Sequence, residues 1–408
     1  MKVSGSLRVP GDKSISHRAL IFAALGTGES RITRILQSAD VHSTAGVLRS
    51  LGVTIPELSA DFVVRGLGRG SLRQPVENLD CGNSGTTTRL MAGVVAASRL
   101  TATFVGDASL SQRPMRRVAR PLEAMGARVE LPASGGLPMT IGGGSLHDID
   151  WNSEVASAQI KSAILLAALV SGVRATVTEP ARSRDHTERM LLARGVALAV
   201  DENTVTIDAD SPFESLDTDV PGDPSSAAFF AGLAAIATSG ALRLEGVCVN
   251  ATRTGFLDRI TAMGAQVAYE NQRIEGGESI ADVVVGPGQL RGTTVVEADV
   301  PAMVDELPLL ACLATRAEGE TVITGANELR VKESDRIAAV VGNLRAIGAN
   351  AEELPDGMRI VGSDQPLSGK VVTHGDHRLA MAFGVLGAAD GTSIEIDDRD
   401  CVDRKSVV

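Results

Sequence analysis

Aromatic side chains are nearly missing from this 408-residue chain, which has one Trp, one Tyr and eight Phe. A platform for stacking single-stranded bases needs such rings, so their scarcity argues against that class of function. The core must be built from Ala, Leu, Val and Ile, with the 43 glycines allowing closely approaching backbones and many turns. Cysteine is scarce as well. Cys81, Cys248, Cys312 and Cys401 are dispersed and form no Cys-x-x-Cys. That fits a reducing compartment and gives no zinc signature. The six histidines fall in no metal-ligand spacing, so no metal is expected. Apolar runs such as Ala163 to Val170 are too short to span a bilayer. Arg8 and Asp12 interrupt the N-terminal segment where a signal peptide would need an apolar stretch, and a cytoplasmic location is expected. Positive charge is in deficit, the formal net charge being −11. An acidic protein repels nucleic acid and anionic membranes, and neither is expected as a partner. An anionic ligand must then be held by a local cluster of Arg and Lys.

Self-similarity is what the chain does have. One phrase recurs six times: a turn, a polar cap, a small-residue helix, a glycine, and a short β-rich run. The copies begin near Pro10, Cys81, Ser153, Pro221, Val300 and His374, roughly seventy residues apart, a spacing suited to a whole supersecondary unit. A second phrase falls between them: an amphipathic helix that ends on a glycine and re-enters a strand. It is present in Val47–Val53, Pro121–Val129, Met190–Leu198, Arg259–Val267 and Asn343–Ala351 and has no sixth copy. Each unit reads β-α-β-α-β-β, an α/β pattern. Six units divide into two domains of three. The expected division is 11–220 for the first domain and 1–10 plus 221–408 for the second, with crossover strands near residues 10 and 220. The opening Met1–Val9 strand is expected to join the C-terminal half and complete the deficient last unit. A ligand cleft is expected between the domains.

Eight polar clusters punctuate the repeats. Pro10-Gly-Asp-Lys13-Ser14-Ile-Ser-His-Arg18 opens the first helix, and Asp12, Ser14 or Ser16 can cap it. Backbone donors, hydroxyls and two cations there suit an anion. Cys81-Gly-Asn83-Ser-Gly85-Thr86-Thr-Thr-Arg89 holds the matching place in the second unit, without the Gly-Lys-Ser/Thr of a Walker loop. Arg113, Arg116 and Arg117 precede a helix. Ser157-Ala158-Gln159-Ile160-Lys161 offers a hydroxyl and an amide to phosphate or sugar-like hydroxyls. Ser183-Arg184-Asp185-His186-Thr187-Glu188, taken by itself, reads as a surface salt-bridge cluster. Asp305 and Glu306 lie in an apolar setting where burial raises a carboxylate toward general-base range. Lys332 and Arg336, at i,i+4, face one ligand if they share a helix, with Glu333 adjacent. Gly375-Asp376-His377-Arg378 opens the sixth unit's helix. Taken singly, most of these read as caps or solvated charges. Their common position at helix starts gathers them, and a Lys/Arg concentration on an acidic protein points to small polyanions. Hydrogen bonds to ionised groups contribute about 1.5–3 kcal/mol each.

In this order, PGDKSISHRA, GNSGTT, RPM, SAQIKSA, SRDHTERM, VDELP, RVKESDR and DHRLAM resemble the 5-enolpyruvylshikimate-3-phosphate synthase family of enolpyruvyl transferases, from about Val3 to Cys401. The resemblance implies two inside-out α/β domains, each of three copies of the unit. It implies transfer of the enolpyruvyl group of phosphoenolpyruvate to the 5-hydroxyl of shikimate 3-phosphate, in chorismate and aromatic amino acid biosynthesis. No cofactor is implied, and a monomer is expected. By motif position, Lys13 contacts both substrates and acts in proton transfer. Ser14, Arg18, Ser157, Ala158, Gln159, Arg184, Asp305 and Lys332 bind shikimate 3-phosphate. Asn83, Gly85, Thr86, Arg113, Gln159, Arg336, His377 and Arg378 serve phosphoenolpyruvate. Asp305 is the candidate base at the 5-hydroxyl, and Glu333 the candidate proton shuttle. Asp12 and His17 read as structural. The family binds glyphosate at the phosphoenolpyruvate site, and Gly85 leaves room for it, so inhibition is expected. Leu90 and the Ser-Arg-Asp-His-Thr-Glu sequence resemble a divergent subclass. The tail after Cys401 departs from the family's aromatic-containing end, with Arg404 at the spacing of a ligand-binding lysine of some members. Two other readings are an enolpyruvyl transferase acting on UDP-N-acetylglucosamine and a non-catalytic binding protein of the same fold. Against the first, Ser14 stands where that enzyme has Asn, and no cysteine sits in a matching loop.

Overall fold

A computed structural model of the chain describes residues 1–398 and 400–404, the side chains of Asp403 and Arg404 excepted. The expectation placed on Arg404 therefore lies outside the described side chains.

Each repeat opens on a helix that is apolar nearly all round, and such helices are buried ones. Every residue from Ile15 to Leu25 of helix Lys13–Leu25 is buried. So are Ile160 to Leu169 of helix Ala158–Ser171 and all of helix Leu307–Ala314. Small residues let these central helices touch. A β-carbon added at Gly93, in helix Gly85–Ala96, would lie 2.1 Å from the carbonyl oxygen of Ala163. Side-chain caps start most of them by accepting orphan N–H groups. Asp12 accepts from Ile15 N, Ser84 from Thr87 N, Asp223 from Ser225 N and Asp376 from Arg378 N. Helix Leu307–Ala314 has no side-chain cap and instead carries Pro308 in its first turn, where the missing N–H costs nothing.

In the first five repeats the second helix ends where the sequence places a glycine. Gly52, Gly126, Gly195, Gly264 and Gly348 all have φ between 81° and 116°, the left-handed region that a glycine enters without strain. Among the described residues the strands form six sheets. In the second repeat, Leu79–Asp80 runs parallel to Thr101–Val105, Met139–Gly142 pairs antiparallel with that strand, and Arg128–Glu130 takes the far edge. The third and fifth repeats copy this order.

The first and fourth repeats borrow their leading strand. Thr218–Asp219 lies parallel to Thr27–Thr33. Lys2–Leu7 lies parallel to Ser239–Cys248, in register from Lys2↔Ser239 to Leu7↔Leu244. This corrects the expectation that the N-terminal strand completes the last repeat. It joins the C-terminal half but serves the fourth repeat, because helix Pro224–Ala235 needs a parallel strand ahead of it and residues 218–219 are already paired in the first sheet. Among the described residues the sixth repeat has the parallel strands Leu367–Val371 and Thr392–Ile396.

The chain divides into two compact units. One comprises Gly11–Val220 with Glu275–Glu278. The other comprises Met1–Pro10, Pro221–Ile274 and the chain from Ser279 onward. Among the described residues, no helix is long and apolar enough to cross a membrane.

Candidate functional site

In the unit formed by Gly11–Val220, three helix N-termini are tied directly to one another. Lys13 is the first residue of its helix and Arg18 lies just over one turn on. Arg18 donates to Ser162 Oγ at 2.7 Å and to Thr187 Oγ1 at 2.7 Å, which joins the first repeat to the third. A third bond, to Ser14 O at 2.9 Å, holds the guanidinium over its own helix start. Gln159 donates to Thr86 Oγ1 at 3.0 Å and accepts from Arg89 Nη1 at 2.6 Å, which joins the third repeat to the second. His17 Nδ1, Thr44 Oγ1, Thr87 Oγ1 and Ser84 Oγ form a chain with steps of 2.6–2.7 Å that joins the first repeat to the second. The expected residues Lys13, Ser14, Arg18, Gly85, Thr86, Ser157, Ala158 and Gln159 are therefore at neighbouring helix starts, with aligned N–H groups and dipoles. Arg113 donates to Asn83 Oδ1 at 3.1 Å, and Asn83 donates to Asp107 at 2.6 Å.

Electrostatics differ within this set. Burial pushes the Arg18 guanidinium down to about 10, against the pull of Glu188, Asp12 and Glu278. Asp40 pairs with Lys13 at 2.6 Å. Burial would raise Asp40, but the Lys13 charge and hydrogen bond outweigh it and hold the carboxyl below its ordinary range. His17 is fully buried and pushed down to about 3, chiefly by burial. It is a neutral structural group, as Asp12 is a cap.

The Ser183–Glu188 segment is not a surface cluster. Ser183, Asp185, His186, Thr187 and Glu188 are all buried. Lys161 explains this. Its ammonium lies 2.8 Å from both Glu179 and Glu188, all three being buried. An ion group shut away from water draws its loop in with it, whereas a surface reading presumes solvated charges. Arg184, half-buried, sits on that segment.

The second unit gathers its own set. Asp305 and Glu306 form a 3-10 turn ahead of helix Leu307–Ala314. Their setting is ionic rather than apolar, which corrects the sequence reading. Arg336 lies 3.4 Å from Asp305, 2.6 Å from Glu333 and 2.8 Å from Asp376, and is 1% exposed. Arg378 donates to Glu306 at 3.0 Å and to Asp305 O at 3.1 Å. Burial works against the Arg336 charge, but Glu333, Asp376 and Asp305 raise it above the ordinary value. His377 is buried beside Asp376. Lys332 and Arg336 do not share a helix. Asp335 caps Ala338 N at 3.1 Å, so the helix begins at Arg336 and Lys332 is in extended backbone, 3.9 Å from Glu328.

The sequence model of the family described as EPSP synthase (3-phosphoshikimate 1-carboxyvinyltransferase) matches residues 1–405. The chain belongs to this family. A 3-phosphoshikimate 1-carboxyvinyltransferase of Sulfurihydrogenibium sp. (strain YO3AOP1) is 48% identical, covering 98% of this chain and 94% of the relative. One from Alkalilimnicola ehrlichii is 49% identical over 97% of this chain and 89% of the relative. Among solved structures, an EPSP synthase from Acinetobacter baumannii superposes with a TM-score of 0.89 at 40% identity, covering 99% of this chain and 93% of that one.

The EPSP synthase resemblance assigns no role to Asp40, Arg89, Lys161, Glu179, Glu306 or Asp376, all of which the structure ties into these two sets. Lys161, Arg89 and Asp376 stand within or beside the motifs that carry the resemblance, and Asp376 shows the cap signature. Asp40 and Glu179 carry no signal beyond an acid near a helix start and an acid at a strand end.

Proposed function

We propose that the chain transfers the enolpyruvyl group of phosphoenolpyruvate to the 5-hydroxyl of shikimate 3-phosphate, releasing phosphate. The observation that carries this reading is the joining of three helix N-termini around Lys13, Ser14, Arg18, Thr86 and Gln159 in a chain of the EPSP synthase family. Helix starts with cations suit phosphorylated ligands.

Ser14, Arg18, Ser157, Ala158, Gln159, Arg184 and Lys332 take shikimate 3-phosphate. Asn83, Gly85, Thr86, Arg113, Gln159, Arg336, His377 and Arg378 take phosphoenolpyruvate, and Lys13 serves both. The 5-hydroxyl oxygen bonds to C2 of phosphoenolpyruvate as C3 gains a proton. Asp305 accepts the hydroxyl proton, and Glu333 with Lys13 handles the proton at C3. The tetrahedral intermediate then loses the C3 proton and expels phosphate by C–O cleavage. Glyphosate competes at the phosphoenolpyruvate residues, and the enzyme is a cytoplasmic monomer.

The test is phosphate release on mixing the protein with phosphoenolpyruvate and, separately, shikimate 3-phosphate or UDP-N-acetylglucosamine. Turnover only with the first acceptor is expected. Turnover only with the second would replace the reading, and binding without turnover would make the chain a binding protein. Unchanged rates in millimolar glyphosate, with phosphoenolpyruvate at its KM, would remove the inhibition.

A further inference from the structure

Glu179 follows the strand Ala175–Thr178 and is buried. Its two oxygens reach both segments that carry acceptor-binding residues. Oε1 accepts from the backbone N–H of Ser157, at 2.8 Å. Oε2 accepts from Ser183 Oγ at 2.8 Å and from Ser183 N at 3.4 Å. Lys161 Nζ stands 2.8 Å from Oε2. Ser157 caps the helix that begins Ala158-Gln159, and Ser183 precedes Arg184. One carboxylate thus sets the distance between the helix start and the arginine loop.

We propose that Glu179, paired with Lys161, is the positioning residue for the acceptor's phosphate, holding Ser157–Gln159 and Arg184 at one fixed spacing. This rests on the reading that those residues bind shikimate 3-phosphate. The other carboxylate on Lys161 has a different place. Glu188 meets Lys161 through Oε1 at 2.8 Å, and its Oε2 is buried without a hydrogen-bond partner among the described residues. Burial pushes Glu188 up, against the Lys161 charge. Burial works on Lys161 in the other direction, but Glu188 and Glu179 outweigh it and keep the ammonium charged. Among the described residues four donor groups converge on Glu179, whereas Lys161 is the side chain paired with Glu188, so Glu179 is the carboxylate that joins the two segments. An amide at Glu179 keeps the shape but turns a donor either toward the Ser157 N–H or toward Ser183 and Lys161, which donate to the carboxylate here.

The experiment compares Glu179→Gln with Glu188→Gln, reading KM for each substrate, kcat, calorimetric binding of shikimate 3-phosphate alone, and Tm. Glu179→Gln is expected to raise KM and Kd for shikimate 3-phosphate about tenfold or more, the scale of a lost charge-assisted hydrogen bond. KM for phosphoenolpyruvate is expected to stay within about threefold, less than one such bond contributes. Glu188→Gln is expected to leave both KM values near wild type. Normal acceptor binding in Glu179→Gln overturns the proposal. So does an equal loss on both substrates, which marks a merely structural role, or an equal effect of the two variants. If Glu179→Gln does not fold, Ser183→Ala decides: a selective rise in acceptor KM supports the proposal and an unchanged value overturns it. Wild-type protein that neither binds nor turns over shikimate 3-phosphate would instead sink the functional reading itself.

Discussion

Arg18, in the second turn of its helix, and Arg336, first in its own, are buried arginines, one in each unit, and their partners are opposite in kind. Arg18 is held by two hydroxyls and a carbonyl. Arg336 is held by three carboxylates. Neutral hydrogen-bond partners orient a guanidinium without pairing off its charge, although Glu188, Asp12 and Glu278 act on Arg18 through space. Around Arg336 and Arg378 the carboxylates Asp305, Glu306, Glu333 and Asp376 outnumber the two arginines. That set is rich in groups that can accept protons. The contrast fits the proposed roles of the two arginines, Arg18 on the acceptor and Arg336 among the groups that handle protons.

Removing the proton-handling groups, Lys13 beside the Arg18 set and Glu333 in the Arg336 set, is the severest test of these roles. Lys13→Ala and Glu333→Ala are each expected to lower kcat by about 10²–10⁴, the range of general acid–base catalysis. Near-normal turnover in either, measured by phosphate release at saturating substrates, would break them. Stability should separate the two arginines next. Arg336→Ala removes the cation shared by Asp305, Glu333 and the fully buried Asp376, and is expected to cost about 3–5 kcal/mol. Arg18→Ala leaves neutral oxygens, two of which also bond to each other, and is expected to cost about 1–3 kcal/mol. Urea unfolding of both variants checks the order, and equal losses would erase the contrast.

The first unit's neutral wiring has a pH signature of its own. His17 is depressed from 6.5 to about 3, so the unfolded chain takes up a proton below about 6.5 while the folded chain does not. Stability is present above that value and falls as pH falls, by about 1.4 kcal/mol per unit down to about pH 3. Between pH 7 and pH 5 the wild type should therefore lose about 2 kcal/mol more than His17→Asn. Matching urea profiles for the two would show that His17 is not the group responsible. A smaller effect is expected at Gly85, where an added β-carbon would meet Arg89 Nη1 at 2.9 Å and Arg113 Nη1 at 3.4 Å. These are movable side-chain ends. Gly85→Ala should weaken glyphosate inhibition about tenfold, the scale of one methyl in a binding pocket, with a lesser rise in KM for phosphoenolpyruvate. An inhibition constant equal to wild type would sink that expectation.

Local rules made much of the molecule legible. Helix caps at Asp12, Ser84, Ser157 and Asp376 need only the residue and those after it, and the five glycines that close the second helices need only their own φ. These signals carried the six-fold repeat, and the repeat placed most of the expected site residues at helix starts. Partnership across the fold was not legible. Lys332 and Arg336 have the spacing of one helix face, but the cap at Asp335 separates them. The Ser183–Glu188 segment has the composition of a surface, but Lys161 and Glu179 hold it inside. Asp305 looked apolar because its neighbours in sequence are, whereas its neighbours in space are Arg336 and Arg378. The N-terminal strand read correctly as a strand, but which repeat it completes depended on a vacancy left by residues 218–219. Caps, turns and apolar periods are interactions within a few residues, and the order of residues is enough to settle them. Charge pairing and strand order join residues tens to hundreds of positions apart, and only the packed chain decides which of many possible partners meet.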